Sequence, residues 1–266
     1  MRLIRFRDRS GRAAFGCETP GNRARPSIDD DFPPVHFAEQ AVDVGSLLPP
    51  VDPPNIFAIG RNYREHAAEM KAAAADSEPL IFIKATTSII PPGQPIILPA
   101  AAPNEVDYEA ELAVVIGRQG KNIPVDRALD YVLGYTCAND VSARDCQRTN
   151  KQWARAKSFD TFCPLGPCIV TADEMHPDNL AIRSTLNGQV MQESRTSEMI
   201  FPPAALVSYI SHQFTLLPGT LILTGTPAGV GAARTPPVFL RPGDEITIEI
   251  EGIGRLANPV RADLQD

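Results

Sequence analysis

The stretch "NEVDYEAELAVVIG", residues 104–117, decides how the chain is read. As a β-strand it sends Tyr108, Ala110, Leu112, Val114 and Ile116 to one side, an apolar face suited to a core. The other side carries Asp107, Glu109 and Glu111 and then turns apolar at Ala113 and Val115, so it is not a solvated face along its whole length. Carboxylates two residues apart on a strand lie roughly 6 to 7 Å apart at Cβ. At that separation and an effective dielectric of ~20 two unit charges repel by roughly 3 kcal/mol. Two readings follow: an edge strand with a wet acidic end, or a site where something positive offsets the acids.

Working outward, "NIFAIG", "LIFIK", "PIILP", "YVLGYTCAND", "PCIV", "LAIRSTLNG", "TLILTG" and "EITIEI" read as strands separated by Gly, Pro or Asn turns. The chain has 26 prolines and 18 glycines but only 6% aromatic residues, which favours short strands and turns over a helical bundle. Helices are expected in "NYREHAAEMKAAAA", in "VDRALDYV", after "NDVSARD" and in "PPAALVSYISHQF". Residues 1–50 read as a small N-terminal β-rich domain that passes through "GNRARPSIDDDFPP" to "GSLLPPVDPPN". Residues 51–266 read as the main, catalytic domain. The expected fold is α+β and β-dominated.

A net charge of −7 and a pI near 5.2 give no support for a nucleic-acid or anionic-membrane partner. No run approaches the ~20 apolar residues of a membrane span, and no apolar segment follows the basic start. Five cysteines without CxxC or metal-finger spacing fit a reduced, cytoplasmic setting.

Several residues could carry chemistry, each beside an ordinary structural reading. His66 and Glu69 are three apart and share a helix face, so the carboxylate can orient the imidazole and raise its basicity. A surface helix with alternating charges, such as Arg61 and Glu65, produces the same pattern. Asp140 ends a strand and can cap the following helix, as can Ser142. It can equally join Glu109 and Glu111 in a hard, oxygen-only site for Mg²⁺ or Mn²⁺. Lys157 is either an exposed loop lysine or a cation that stabilises developing negative charge. "LILTGTPAGVG" is a Thr- and Gly-rich loop after a strand, without the pattern of a nucleotide-binding loop.

Taken in order, "IGRNYREHAAEM", "IFIKATTS", "VDYEAELAVVIG", "GYTCANDVSARDCQ", "WARAKSFDTFCPLGP", "STLNGQVMQESRTSEMIF" and "LILTGTPAGVG" resemble the fumarylacetoacetate hydrolase superfamily over roughly residues 55–258. The resemblance implies a mixed β-sandwich roll with a few short helices, a homodimer, and a divalent metal in each site. It implies Glu109, Glu111 and Asp140 as metal ligands and His66 with Glu69 as the catalytic pair. Lys157, Arg144, Gln147 and Thr226 fall on positions that contact the substrate or settle an enolate. Ile59 stands where fumarylacetoacetase has a further Asp ligand, so the chain is more similar to shorter bacterial and acylpyruvase-like members. Three activities on a small 2-oxo acid follow. The leading one is hydrolysis of a carbon–carbon bond in an acylpyruvate or fumarylpyruvate. The alternatives are decarboxylation of oxaloacetate, or isomerisation or hydration of a 2-oxo-heptenedioate-type diacid in aromatic catabolism. From a different class comes a metal- or anion-binding protein without turnover. Asp107 lies outside the matched pair of glutamates and reads as a solvated acid or one standing behind the ligands.

Overall fold

The computed structural model describes residues 1–29, 32–74 and 77–263. Strands dominate it, in an eleven-stranded sheet, a five-stranded sheet and a short two-stranded pair. Across the large sheet the order is Ala13–Thr19, Arg23–Pro26, Val42–Leu48, Arg2–Asp8, Cys163–Thr171, Val132–Asn139, Ala110–Ile116, Leu221–Leu223, Ile56–Gly60 and Leu80–Lys84, with Ile89–Ile90 beside Cys163–Thr171. The four strands within the first 50 residues continue this sheet, because Arg2 and Leu3 pair with Val170 and Ile169. The smaller sheet runs Gln189–Arg195, Ala181–Leu186, Glu245–Ile250, Gly254–Ala262 and Ile96–Leu98.

The strand Ala110–Ile116 is buried on both faces. Leu112, Val114 and Ile116 share a cluster with Ile182, Ile246, Ile248 and Leu256 of the smaller sheet, and this is the main core. Ala113 and Val115 face a second cluster with Ile56, Leu165, Leu221 and Leu223. The alternation expected from sequence therefore separates two cores rather than a core from solvent. Full burial of a Leu, Val or Ile contributes about 1.5–3 kcal/mol, which fixes the register with Val132–Asn139, Glu111 opposite Ala138.

The acidic entrance to this strand is not continuous with it. Val106–Asp107 pairs with Ser142–Ala143, and regular pairing with Val132–Asn139 begins only at Ala110. In the gap the N–H of Glu109 donates to Asn139 Oδ1 at 2.9 Å, and the N–H of Ala110 donates to Gln192 Oε1 at 2.9 Å. Side-chain amides thus satisfy backbone donors that a ladder would otherwise take.

The helices are shorter than their sequence patterns. The first expected one runs Arg64–Glu69, and Lys71 then takes a left-handed conformation (φ 53°) that stops it; its expected last residue, Ala75, lies outside the described residues. Val125–Tyr131 is 3₁₀ rather than α. Arg144–Thr149 begins after Ala143 with no side-chain cap, so neither Asp140 nor Ser142 caps it. Only Pro203–Gln213 matches the expected amphipathic segment closely. Among the described residues no helix is long and apolar enough to cross a membrane.

Candidate active site

Glu109 and Glu111 sit at the start of the central strand, and Asp140 follows the end of its antiparallel neighbour. Because Ala110 lies opposite Asn139, the register brings the three side chains together, and the N–H of Asp140 donates to the carbonyl of Glu109 at 2.9 Å. One carboxylate oxygen from each lies within 4.8 Å of the others. All three residues are buried: Glu109 is 4% exposed, Glu111 1% and Asp140 0%. A wet acidic strand end is therefore ruled out.

Buried carboxylates need partners. Lys157 Nζ donates to Glu109 Oε2 at 2.7 Å and to Asp140 Oδ2 at 2.6 Å, so it is no exposed loop lysine. Lys84 Nζ donates to Asp140 Oδ1 at 2.6 Å, to the carbonyl of Phe162 at 3.0 Å and to that of Lys157. Arg144 reaches Glu109 Oε1 through Nη2 at 2.8 Å and Asp107 Oδ2 through Nε at 2.9 Å. Asp107 is fully buried and accepts the N–H groups of Gly231 and Ala232 at 2.8 and 2.9 Å. It is not a solvated acid: it holds Arg144 from behind and ties the 231–232 loop to the site.

Glu111 stands apart. Its Oε2 accepts the N–H of Gly225 at 2.7 Å, and among the described residues no lysine or arginine forms an ion pair with it. Burial, and then the charges of Asp140 and Glu109, push its carboxyl well above the usual range. Glu109 shows the opposite outcome. Burial alone would raise it, but the Lys157 ammonium and the Arg144 guanidinium outweigh that and hold it well below the usual range. The cations respond in kind, since burial would lower Lys157 and Arg144 but the facing carboxylates hold both above their ordinary values.

Among the described residues, the cluster sets the carboxylates of Asp107, Glu109, Glu111 and Asp140 against the cations Lys84, Arg144 and Lys157. With all four ionised, one negative charge would be left over, on Glu111, the carboxylate without a cationic partner. A divalent cation fits this set: the donors are all oxygen, they converge within 4.8 Å, and the uncompensated carboxylate is one of the three. A dication would leave the cluster with a net charge of about +1, suited to an anionic ligand.

A cleft of about 200 Å³ opens over the cluster, and His66, Glu109, Arg144, Gln147, Lys157 and Thr226 line it. His66 Nδ1 donates to Glu69 Oε1 at 2.8 Å, and Glu69 Oε2 accepts the N–H of Gly229 at 2.8 Å. The pair is 9% and 20% exposed at the side chain, so it is no solvated helix face. Gln147 Oε1 accepts from Arg144 Nη1 at 2.9 Å, and Thr226 Oγ1 accepts from Gln192 Nε2 at 2.7 Å. The fold thus gathers all nine sequence-selected residues around one cleft: six line it, Glu69 supports His66, and Glu111 and Asp140 lie in the cluster beneath.

Sequence reasoning missed three supporting residues. Lys84 closes an apolar strand, and the one available signal was a charge ending "LIFIK". Asn139 and Gln192 hold the backbone on either side of Glu109 and the Thr226 hydroxyl. Both read as ordinary strand polars, and only the three-dimensional pairing reveals their task.

Glu109, Glu111 and Asp140 form an oxygen-only cluster that could hold a metal ion, and His66, oriented by Glu69, lines the cleft above it. The chain belongs to the fumarylacetoacetate (FAA) hydrolase family, whose C-terminal domain model matches residues 55–261. It is 50% identical over 219 residues to the oxaloacetate tautomerase fahd2, mitochondrial, of Xenopus laevis, covering 81% of this chain and 68% of that protein. Among solved structures it resembles the 5-carboxymethyl-2-hydroxymuconate delta-isomerase of Mycobacterium smegmatis, with a TM-score of 0.87, 43% identity, and coverage of 99% of this chain and 100% of that one. The 2-hydroxyhepta-2,4-diene-1,7-dioate isomerase of Mycobacterium marinum matches equally, with a TM-score of 0.87, 43% identity and full coverage of both chains.

Proposed function

We propose that this protein is a divalent-metal-dependent isomerase of 2-oxo diacids, interconverting keto and enol forms or shifting a double bond next to the 2-oxo group. The observation that carries the reading is the His66–Glu69–Gly229 relay, set in the same cleft as Glu109, Lys157 and Arg144. The names of the similar proteins support isomerisation better than carbon–carbon hydrolysis, which was the leading expectation from sequence.

Glu69 accepts the Nδ1 proton of His66 and is itself fixed by the Gly229 amide, which leaves Nε2 as the ring nitrogen free to exchange a proton. His66 takes a proton from the carbon beside the oxo group and returns it to carbon or oxygen. One group that is both acceptor and donor is sufficient for isomerisation. Lys157 and Arg144 bring positive charge to the cleft wall where the substrate oxygen gains negative charge. Gln147 and Thr226, each held by a hydrogen bond, orient the substrate carboxylate. A divalent cation, which we assign as Mg²⁺ or Mn²⁺ held by Glu109, Glu111 and Asp140, would supply Lewis acidity toward the substrate's 2-oxo and carboxylate oxygens. Hydrolysis of an acylpyruvate would use the same His66–Glu69 pair to activate water.

Product analysis in D₂O separates these reactions. With oxaloacetate or a hydroxy-dienedioate and Mg²⁺, NMR is expected to show deuterium entering the carbon beside the oxo group while the carbon skeleton stays whole. His66→Asn is expected to lower that rate by about 10²- to 10⁴-fold. Release of two acids or of CO₂ faster than deuterium enters would refute the isomerase reading.

A further inference from the structure

We propose that Arg61 is the residue that recognises the distal carboxylate of the substrate and selects diacids over monoacids. This rests on the 2-oxo diacid reading above and names the side chain that would make it specific.

The inference begins with the cations of the cleft. Lys157 and Arg144 line it, yet both are committed to buried carboxylates, Lys157 to Glu109 and Asp140, Arg144 to Asp107 and Glu109. Arg148 also lines it and is bound to Glu105 at 2.6 Å. Arg61 is the remaining cleft cation, and among the described residues it forms no ion pair. Its guanidinium lies over the ring of Trp153, with Cζ 5.6 Å from the ring centroid. Stacking of this kind holds a guanidinium in place while leaving its edge donors free.

The backbone is built to put it there. Arg61 follows directly on the strand Ile56–Gly60 and has φ +58°, a left-handed conformation uncommon outside Gly, Asn and Asp. Gly60 provides the seat for the indole, since a Cβ at that position would lie 2.5 Å from Trp153 Cζ3. A strained arginine, stacked on an aromatic ring that needs a glycine beneath it, is an arrangement suited to a ligand. The planar fork of donors matches a carboxylate bidentately. A 2-oxo diacid placed with its oxo end at the carboxylate cluster would need such a partner at its other end.

Trp153 is the single tryptophan of the chain, so its fluorescence reports ligand capture at Arg61 directly. The test is a stopped-flow fluorescence titration of the Mg²⁺-loaded protein with oxaloacetate and with 2-oxobutanoate, in which a methyl group replaces the distal carboxylate. Arg61→Met is expected to weaken oxaloacetate binding by about ten- to a hundredfold while 2-oxobutanoate changes by less than about twofold, with Arg61→Lys intermediate. Equal losses for both ligands, no loss for oxaloacetate, or a wild-type protein that binds 2-oxobutanoate as tightly as oxaloacetate would overturn the assignment. Turnover is read separately in D₂O. If the selective binding loss occurs and no isomerisation is seen, Arg61 stands as the diacid-recognising residue and the isomerase reading fails.

Discussion

Glu111→Gln is the perturbation that bears most directly on the carboxylate cluster. The Glu111 carboxyl is buried, one of its oxygens lies within 4.8 Å of one from each of Glu109 and Asp140, and among the described residues no lysine or arginine forms an ion pair with it. At 4.8 Å and an effective dielectric of about 20, each neighbouring carboxylate repels it by about 3.5 kcal/mol. In metal-free protein burial, and then that repulsion, favour the neutral form and hold the carboxyl well above its ordinary range. In the unfolded chain a Glu titrates near 4.3, so above that pH the folded state holds more protons than the unfolded state and stability falls as pH rises. The slope is about 1.4 kcal/mol per pH unit until the folded-state pKa is passed. The contribution is fully present below the unfolded pKa and lost on the way up to the raised one.

A glutamine needs no proton and can keep the hydrogen bond from the Gly225 amide. In EDTA at pH 7, Glu111→Gln is therefore expected to be more stable than wild type by an amount on the order of one such repulsion, about 3.5 kcal/mol, a rise in Tm of about 10 °C for a chain of this size. The gap should close toward pH 4–5. Adding a divalent cation at a hundred times its Kd should stabilise wild type by about 2.7 kcal/mol and the variant far less. Calorimetric melts with EDTA and with Mn²⁺ at several pH values check all three expectations. Equal melting temperatures for the two proteins in EDTA at pH 7, or an equal response to the cation, would refute the reasoning.

Lys84→Met removes the ammonium from Asp140 and from the carbonyls of Lys157 and Phe162. It should cost about 3–5 kcal/mol of stability in urea unfolding, the cost of stranding one partner of a buried pair; a loss under about 1 kcal/mol would show that Lys157 alone satisfies Asp140. At Gly134 an added Cβ would lie 2.1 Å from the carbonyl oxygen of Val170, a close approach between two central strands. Gly134→Ala should lower the Tm by several degrees; an unchanged Tm would place the constraint elsewhere.

The sequence by itself determined the apolar alternation of Leu112, Val114 and Ile116, because burial makes a two-residue period hard to violate. It also pointed to the nine site residues, but through the resemblance of seven collinear motifs to the fumarylacetoacetate hydrolase superfamily, because paired acids before a core strand and an imidazole three residues from a carboxylate each have an ordinary surface reading as well. Tertiary structure decided what each charge faces. Glu109 and Glu111 have the same side chain two residues apart, yet Lys157 and Arg144 hold one ionised while the other, among the described residues, accepts a backbone amide and pairs with no lysine or arginine. Lys84, Gln192 and Arg61 carried no distinctive local pattern, since their roles depend on partners 56, 34 and 92 positions away, at Asp140, Thr226 and Trp153. For Asp107 the sequence leaves open a solvated acid or one standing behind the ligands, and the Arg144 guanidinium and the Gly231 and Ala232 amides that close around it decide for the second. Electrostatic fate is set by distance and desolvation in space, and a linear sequence records neither.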